Sequence, residues 1–300
     1  MKYKDRQGNI LEDDKIQESI VRFLYGTYPG EGLLKILTHK GVSKLAGTLL
    51  STKMSTVLIP YFVRRNNIKV RDYEMSGHKS FNDFFARRLS AGARNVELNP
   101  DILISPADSK VMVYDCNEDS EFTIKGLKYN FEQLTQSKKL AEVFKGGQLL
   151  VFRLSVDDYH RYCYVDSGDK SQNYRIPGKL HTVNPVACEN THVYRENERV
   201  ISMLKSENFG LIMMMEVGAM MVGKIINYEG PTYVRKGKEK GRFEFGGSTI
   251  IIALQEGTVE IDRDILLNSQ QGLETKVRYG EKIGRKVWVK NKLHYFAIFA

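Results

Sequence analysis

Phe245-Gly246-Gly247-Ser248-Thr249-Ile250-Ile251-Ile252 joins two glycines to an apolar, β-branched run. A basic stretch punctuated by glycine, Arg235-Lys236-Gly237-Lys238-Glu239-Lys240-Gly241, leads into it, and Ile250 to Ala253 lead out. Gly246-Gly247 predicts a tight turn, because glycine reaches positive φ without a Cβ clash. Ser248 then falls at the start of a buried strand. A strained turn backed by a rigid strand suits a hydroxyl that attacks a neighbouring backbone carbonyl. The plainer reading is a hairpin turn and a core strand, with Ser248 a turn residue. These residues alone favour the plainer reading, and the rest of the chain has to decide.

The remaining strand signals lie downstream of residue 100. Ile102-Leu103-Ile104, Val111 to Tyr114, Leu149 to Leu154, Ile212 to Val217, Val259-Glu260-Ile261 and Val287-Trp288-Val289 are short, apolar or alternating, and bounded by turn residues. One helix is expected among them, near Phe131 to Phe144. Upstream, apolar residues at Leu45, Leu49, Leu50, Met54, Val57, Leu58 and Tyr61 recur at spacings of three and four and predict one helix face. Pro60 is expected to kink or end that helix. Its stripe reads either as an in-plane membrane helix flanked by Lys44, Lys53, Arg64 and Arg65, or as a helix packed on the core. Phe81 to Leu89 reads as a short amphipathic helix capped by Ser80 or Asn82. The pattern as a whole predicts an α+β chain. A helical N-terminal region, residues 1–75, precedes a β-rich, mainly antiparallel catalytic domain, residues 76–300.

The 300 residues carry a net charge of +9 and 42% hydrophobic content, ample for a real core. A basic surface fits an anionic partner, either nucleic acid or acidic lipid headgroups. No recognition helix, zinc-finger spacing or RNP-type aromatic motif supports nucleic acid, so no nucleic-acid partner is expected. Cys116, Cys163 and Cys188 are odd in number and widely spaced, which fits a reducing compartment rather than a disulfide framework. Polar residues after Met1 give no apolar signal core, so export is not expected. No run of about eighteen apolar residues is present to span a bilayer. Walker, dinucleotide, H-E-x-x-H and EF-hand patterns are lacking, so no metal or phosphate-cradling signature is read.

Several polar groups sit at strand ends, where chemistry is frequently placed. Asp108 in Ser105-Pro106-Ala107-Asp108 is either a carboxylate that orients a base or an Asx-turn residue. His160 in Asp158-Tyr159-His160-Arg161 follows the strong strand at Leu149 to Leu154. His181 precedes the turn at Asn184-Pro185, and its plain reading is a loop residue. The Met-rich strand before Gly218 reads as core, with a lipid-facing cleft as the sharper alternative. His39, His78, His192 and His294 read as surface or packing residues.

In order, Phe81-Asn82-Asp83-Phe84-Phe85, Ser105-Pro106-Ala107-Asp108, Asp158-Tyr159-His160-Arg161, Thr182-Val183-Asn184-Pro185, Asn197-Glu198-Arg199, Glu216-Val217-Gly218-Ala219 and Gly247-Ser248-Thr249 closely resemble the phosphatidylserine decarboxylase proenzymes. The resemblance spans roughly residues 80 to 290 and carries little of the N-terminal region. It implies a self-cleaving enzyme whose cofactor is a pyruvoyl group made from Ser248, with cleavage between Gly247 and Ser248. Residues 1–247 then form the large subunit and 248–300 the small one. The pyruvoyl ketone takes up the amine of phosphatidylserine and accepts the electrons released with CO2, and phosphatidylethanolamine is the product. Asp108 matches the family's acid, Ser248 its nucleophile and His160 the first histidine of its His-Arg-x-His pattern.

Two departures stand out. Gly246-Gly247 replaces the commoner Leu-Gly. At the second histidine, which the family uses as the base for self-cleavage, this chain has Cys163, and a thiol does not shuttle protons as imidazole does. Either His160 serves both steps or another histidine fills the gap, with His181 the candidate. The expected setting is peripheral, on the cytoplasmic face of the cell membrane against an anionic surface, with a homo-oligomer possible. The alternatives are a soluble pyruvoyl-dependent amino-acid decarboxylase and a catalytically silent lipid-binding relative.

Overall fold

The computed structural model describes residues 2–13, 15–116, 121–124, 127–182, 192–219, 224–244, 246 and 248–287. Trp288 and Val289, the Val183-Asn184-Pro185 turn, Cys188, His294 and Gly247 lie outside the described residues.

The strand Ser248–Leu254 is the centre of the chain, and all of its residues are buried. Continuous β-branched residues suit a strand covered on both faces. It runs antiparallel between Gly210–Val217 and Gln148–Leu154, with Thr249 opposite Val217 and Ser248 opposite Leu154. The sheet continues on one side through Arg199–Ser206, Gly168–Lys170 and Thr232–Val234, and on the other through Ser109–Asp115 and Glu274–Val277. Met213, Met214 and Met215 are fully buried in it, so the Met-rich strand is core and not a lipid-facing cleft.

A second small sheet joins Arg161–Cys163, Glu239–Phe243 and Ile225–Asn227. The chain leaves this sheet at Phe243 and enters the main one at Ser248. The glycine-punctuated turn therefore bridges two sheets rather than closing a hairpin. Gly246 has φ 135, a conformation open to glycine and strained for other residues.

Mixed α and antiparallel β structure agrees with the expected class, and its details differ from expectation in four places. The helix expected over Phe81 to Leu89 ends at Phe85. The helical reading of the first residues omits two short strands. Lys2–Lys4 pairs parallel to Glu274–Val277, and Ile10–Glu12 lies beyond it at the sheet edge. The single helix expected over Leu45 to Tyr61 is three pieces, Lys40–Leu50, a 3-10 turn at Lys53–Val57 and Leu58–Arg65. The break comes at Ser51 and Thr52, whose hydroxyls donate to the carbonyls of Gly47 and Leu49 and compete with helix continuation. Pro60 falls in the first turn of the last piece, where its missing N–H costs little, so it neither kinks nor ends a helix. The helix near Phe131 to Phe144 is likewise two, Phe131–Thr135 and Lys138–Val143, separated by left-handed Gln136 at φ 56.

Candidate active site

Sheet register brings the sequence-marked groups to one end of the central strands. Leu154 lies across from Ser248, and the turn that follows Leu154 carries Asp158 and His160. On the far side of the Gln148–Leu154 strand, Lys110 pairs with Arg153, which puts Asp108 at the same strand end. His160 is further tied to the strand that leads toward Ser248 by its own carbonyl, which accepts from the N–H of Phe243 at 2.9 Å.

Ser248 and Thr249 are both fully buried, and neither hydroxyl has a hydrogen-bond partner among the described residues. Leaving a buried hydroxyl unsatisfied costs about 1–3 kcal/mol, so two adjacent cases point to a site kept for use.

His160 is fully buried and lies against Phe85, with ring centroids 4.1 Å apart. Its Nδ1 is 3.0 Å from the Asp158 carbonyl. A carbonyl only accepts, so Nδ1 carries the proton and Nε2 is the open acceptor. Nε2 has no partner among the described residues. Burial first, then the charge of Arg87, pushes the imidazole pKa down to about 3, so His160 is neutral near pH 7. The Asp158 side chain is spent on structure, accepting from Lys110 Nζ at 2.9 Å and Ser155 N at 2.8 Å.

Asp108 accepts two bonds from Arg94, at 3.0 and 2.5 Å, and one from Tyr279 N at 2.8 Å. No histidine contacts it among the described residues. Arg94 also reaches Asp72 at 3.4 Å. The Cys163 thiol is fully buried, 3.8 Å from the Ser105 carbonyl, and burial pushes its pKa up to about 12. It is a neutral thiol and no proton carrier near pH 7.

His181 is held from a different direction. Its N–H donates to Asn197 Oδ1 at 2.9 Å, and Asn197 Nδ2 donates to the carbonyls of His181 at 2.7 Å and Gly218 at 2.8 Å. Gly218 follows Val217, the partner of Thr249, so one side chain anchors the His181 segment to the rung at Ser248. The His181 ring lies between the Tyr25 hydroxyl, 3.3 Å from Nδ1, and the Glu196 carboxylate, 3.7 Å from Nε2. Desolvation lowers its pKa, against the opposing pull of Glu196. No hydrogen bond joins His181 to Ser248 among the described residues.

Three contributors went unread in the sequence: Arg87 beside His160, Asn197 as a clamp, and the buried pair of Lys240 and Glu216. Asn197 and Glu216 do fall inside the quoted motifs, but motif membership alone gave them no role. Lys240 sits among other lysines and reads as surface charge until its strand is paired.

Ser248 is buried at the head of the central strand, and His160 with its open nitrogen lies at the same strand end. An α+β chain organised around such a Gly-Ser-Thr junction has the design of a decarboxylase made as a proenzyme. The sequence model described as phosphatidylserine decarboxylase matches residues 81–285. The chain is 43% identical to phosphatidylserine decarboxylase proenzyme 2 of Clostridium acetobutylicum, covering 92% of this chain and 94% of that one. It is 40% identical to the phosphatidylserine decarboxylase proenzyme of Clostridium tetani, covering 95% and 98%, and to that of a Clostridium botulinum strain, covering 92% and 95%. The chain belongs to the phosphatidylserine decarboxylase family.

Proposed function

We propose that this chain cuts itself between Gly247 and Ser248 and then converts phosphatidylserine to phosphatidylethanolamine and CO2 at an anionic membrane surface. The observation that carries the reading is the buried Ser248 hydroxyl at the head of the central strand, without a hydrogen-bond partner among the described residues and two residues after Gly246 at φ 135. Its Oγ adds to the Gly247 carbonyl carbon, and breaking the C–N bond leaves an ester. Loss of the Ser248 α-proton expels the Gly247 carboxylate. Water then replaces the nitrogen, which leaves as ammonia, and residue 248 ends as pyruvoyl.

The residues around the junction divide the work. His181, with Glu196 beside it, is the base for self-processing, since Cys163 is held as a neutral thiol. His160 offers Nε2 as an acceptor for the decarboxylation step. Asp108, locked by Arg94 and Tyr279 N, fixes the turn beside them. Once formed, the pyruvoyl group supplies the ketone that takes up the substrate amine and accepts the electrons left by CO2.

No helix among the described residues is long and apolar enough to cross a membrane. Leu45, Leu49, Met54, Val57 and Tyr61 are nonetheless between 59% and 84% exposed on the N-terminal helices, beside exposed Lys53, Arg64 and Arg65. An apolar face with a basic border suits in-plane contact with anionic lipid. Flotation with phosphatidylserine vesicles tests this: Met54→Glu with Val57→Glu is expected to release the protein, and unchanged flotation removes this face from the contact.

Intact mass and a denaturing gel test the reaction. Two fragments, 1–247 and 248–300, with a blocked and deaminated residue at the start of the second, are expected. A single 34.4 kDa chain with intact Ser248 contradicts the proposal.

A further inference from the structure

Arg87 is a fully buried guanidinium, 1% exposed, with no carboxylate at ion-pair distance among the described residues. Arginine is rarely buried without an acidic partner. Its Nη2 donates to the carbonyls of Asp157 at 3.2 Å and Asp158 at 3.3 Å. The second of these is the carbonyl that receives Nδ1–H of His160. The guanidinium carbon lies 4.2 Å above the Tyr73 ring and 5.2 Å from that of Phe84, and its Nε has no hydrogen-bond partner among the described residues. The short helix Phe81–Phe85 thus supplies the ring tilted against His160, and the chain two residues on supplies the cation beside it.

We propose that Arg87 is a positioning residue that keeps His160 neutral and in one tautomer, with Nδ1–H spent on Asp158 and Nε2 held open toward the Ser248 end of the sheet. The charged groups around the ring are Arg87, Lys110, Asp157 and Asp158. Lys110 and Asp158 face each other as a pair, so their charges largely cancel. Asp157 is half-buried and attracts the imidazolium weakly. Arg87 remains as a fixed positive charge in a dry setting, and a second positive charge on the ring is disfavoured there. The shared carbonyl enforces the tautomer as well. Polarised by the guanidinium, it accepts from Nδ1–H and has no use for a bare nitrogen.

This inference rests on the proposed function only for the consequence on turnover; the state of the ring is testable without it. The experiment is nitrogen-15 NMR of the histidine side chains in the full chain as purified, cleaved or not, from pH 3 to 8. His160 is assigned by its loss in His160→Gln. The expected spectrum shows a protonated Nδ1 and a pyridine-type Nε2 that holds down to about pH 4. Arg87→Gln, which keeps a donor but loses the charge, is expected to raise the imidazole pKa by about one unit or more. Arg87→Lys, which keeps the charge, is expected to hold it near the parent value. In CO2 release, the acid limb should move to higher pH in Arg87→Gln and stay in place in Arg87→Lys. A parent His160 that titrates near 6.5, a proton on Nε2, or identical behaviour of the Gln and Lys variants overturns the inference and leaves Arg87 a structural anchor. Should the chain release no CO2, the proposed function fails while the spectra still decide this point.

Discussion

Lys240 Nζ lies 2.7 Å from Glu216 Oε1, with both side chains fully buried. Asn227 completes the group, donating to Glu216 Oε2 at 2.8 Å and accepting from Lys240 at 3.1 Å. Glu216 faces Ile250 across the strand pair, and side chains alternate, so it shares a sheet face with Ser248. Lys240 belongs to the small sheet whose strand Glu239–Phe243 leads toward Ser248. The pair therefore rivets the incoming strand to the main sheet beside the proposed cleavage position. Burial outweighs the attraction of Glu216 and lowers the Lys240 pKa, the mark of a charge kept inside at a cost.

Removing one partner should hurt more than removing both. Lys240→Met leaves a buried carboxylate unpaired and is expected to cost roughly 3–5 kcal/mol in urea unfolding. Lys240→Met with Glu216→Leu should recover much of that loss. A double variant that loses the sum of the two single-variant losses would show that the pair is not coupled.

Self-processing should rank the candidate bases. Ser248→Ala is expected to give an uncut, folded chain. His181→Ala should slow the appearance of the 248–300 fragment by about 10²-fold or more, the usual scale for losing a general base. Cys163→Ala should change it little, because its thiol holds its proton and is spent on the Ser105 carbonyl at 3.8 Å and the Tyr279 side chain. The reverse order in a time course on a denaturing gel would take His181 out of the mechanism.

Asn197 is fully buried and makes three hydrogen bonds that join the His181 segment to Gly218. Asn197→Ala is expected to cost about 2–4 kcal/mol in thermal or urea unfolding, since it leaves buried backbone groups unpaired. Self-cleavage should slow as well, because the rung opposite Ser248 loses its anchor. Normal stability together with normal cleavage would refute the clamp.

Thiol chemistry gives a pH prediction with a defined sign. Burial raises the pKa of both Cys116 and Cys163 from 9 to about 12. The folded chain then holds protons that the unfolded chain releases, so stability from these groups is full below pH 9 and falls as pH rises toward 12. Native Cys116 and Cys163 should resist iodoacetamide at pH 8.5 and react once the chain is unfolded in urea, as read by peptide mass spectrometry. Rapid alkylation of native Cys163 would contradict its placement.

Much of the architecture was readable because it rests on local chemistry. The β-branched run after Ser248 could only be a covered strand, and Ser80 capped the Phe81–Phe85 helix as its position suggested. Helix lengths were less readable. Ser51 and Thr52 break a stripe whose apolar spacing continues unbroken, because the competition is between hydroxyls and backbone rather than between faces.

The order of motifs along the chain was enough to determine the family and to mark Gly247-Ser248 and the polar strand ends near it as the candidate site. Folding alone decided which charges those ends would meet: Arg94 on Asp108, Arg87 on His160, Lys240 on Glu216. These partners lie far apart in sequence or on opposite sides of a turn. Electrostatic energy depends on distance and on exclusion of water, neither of which a linear order of residues fixes.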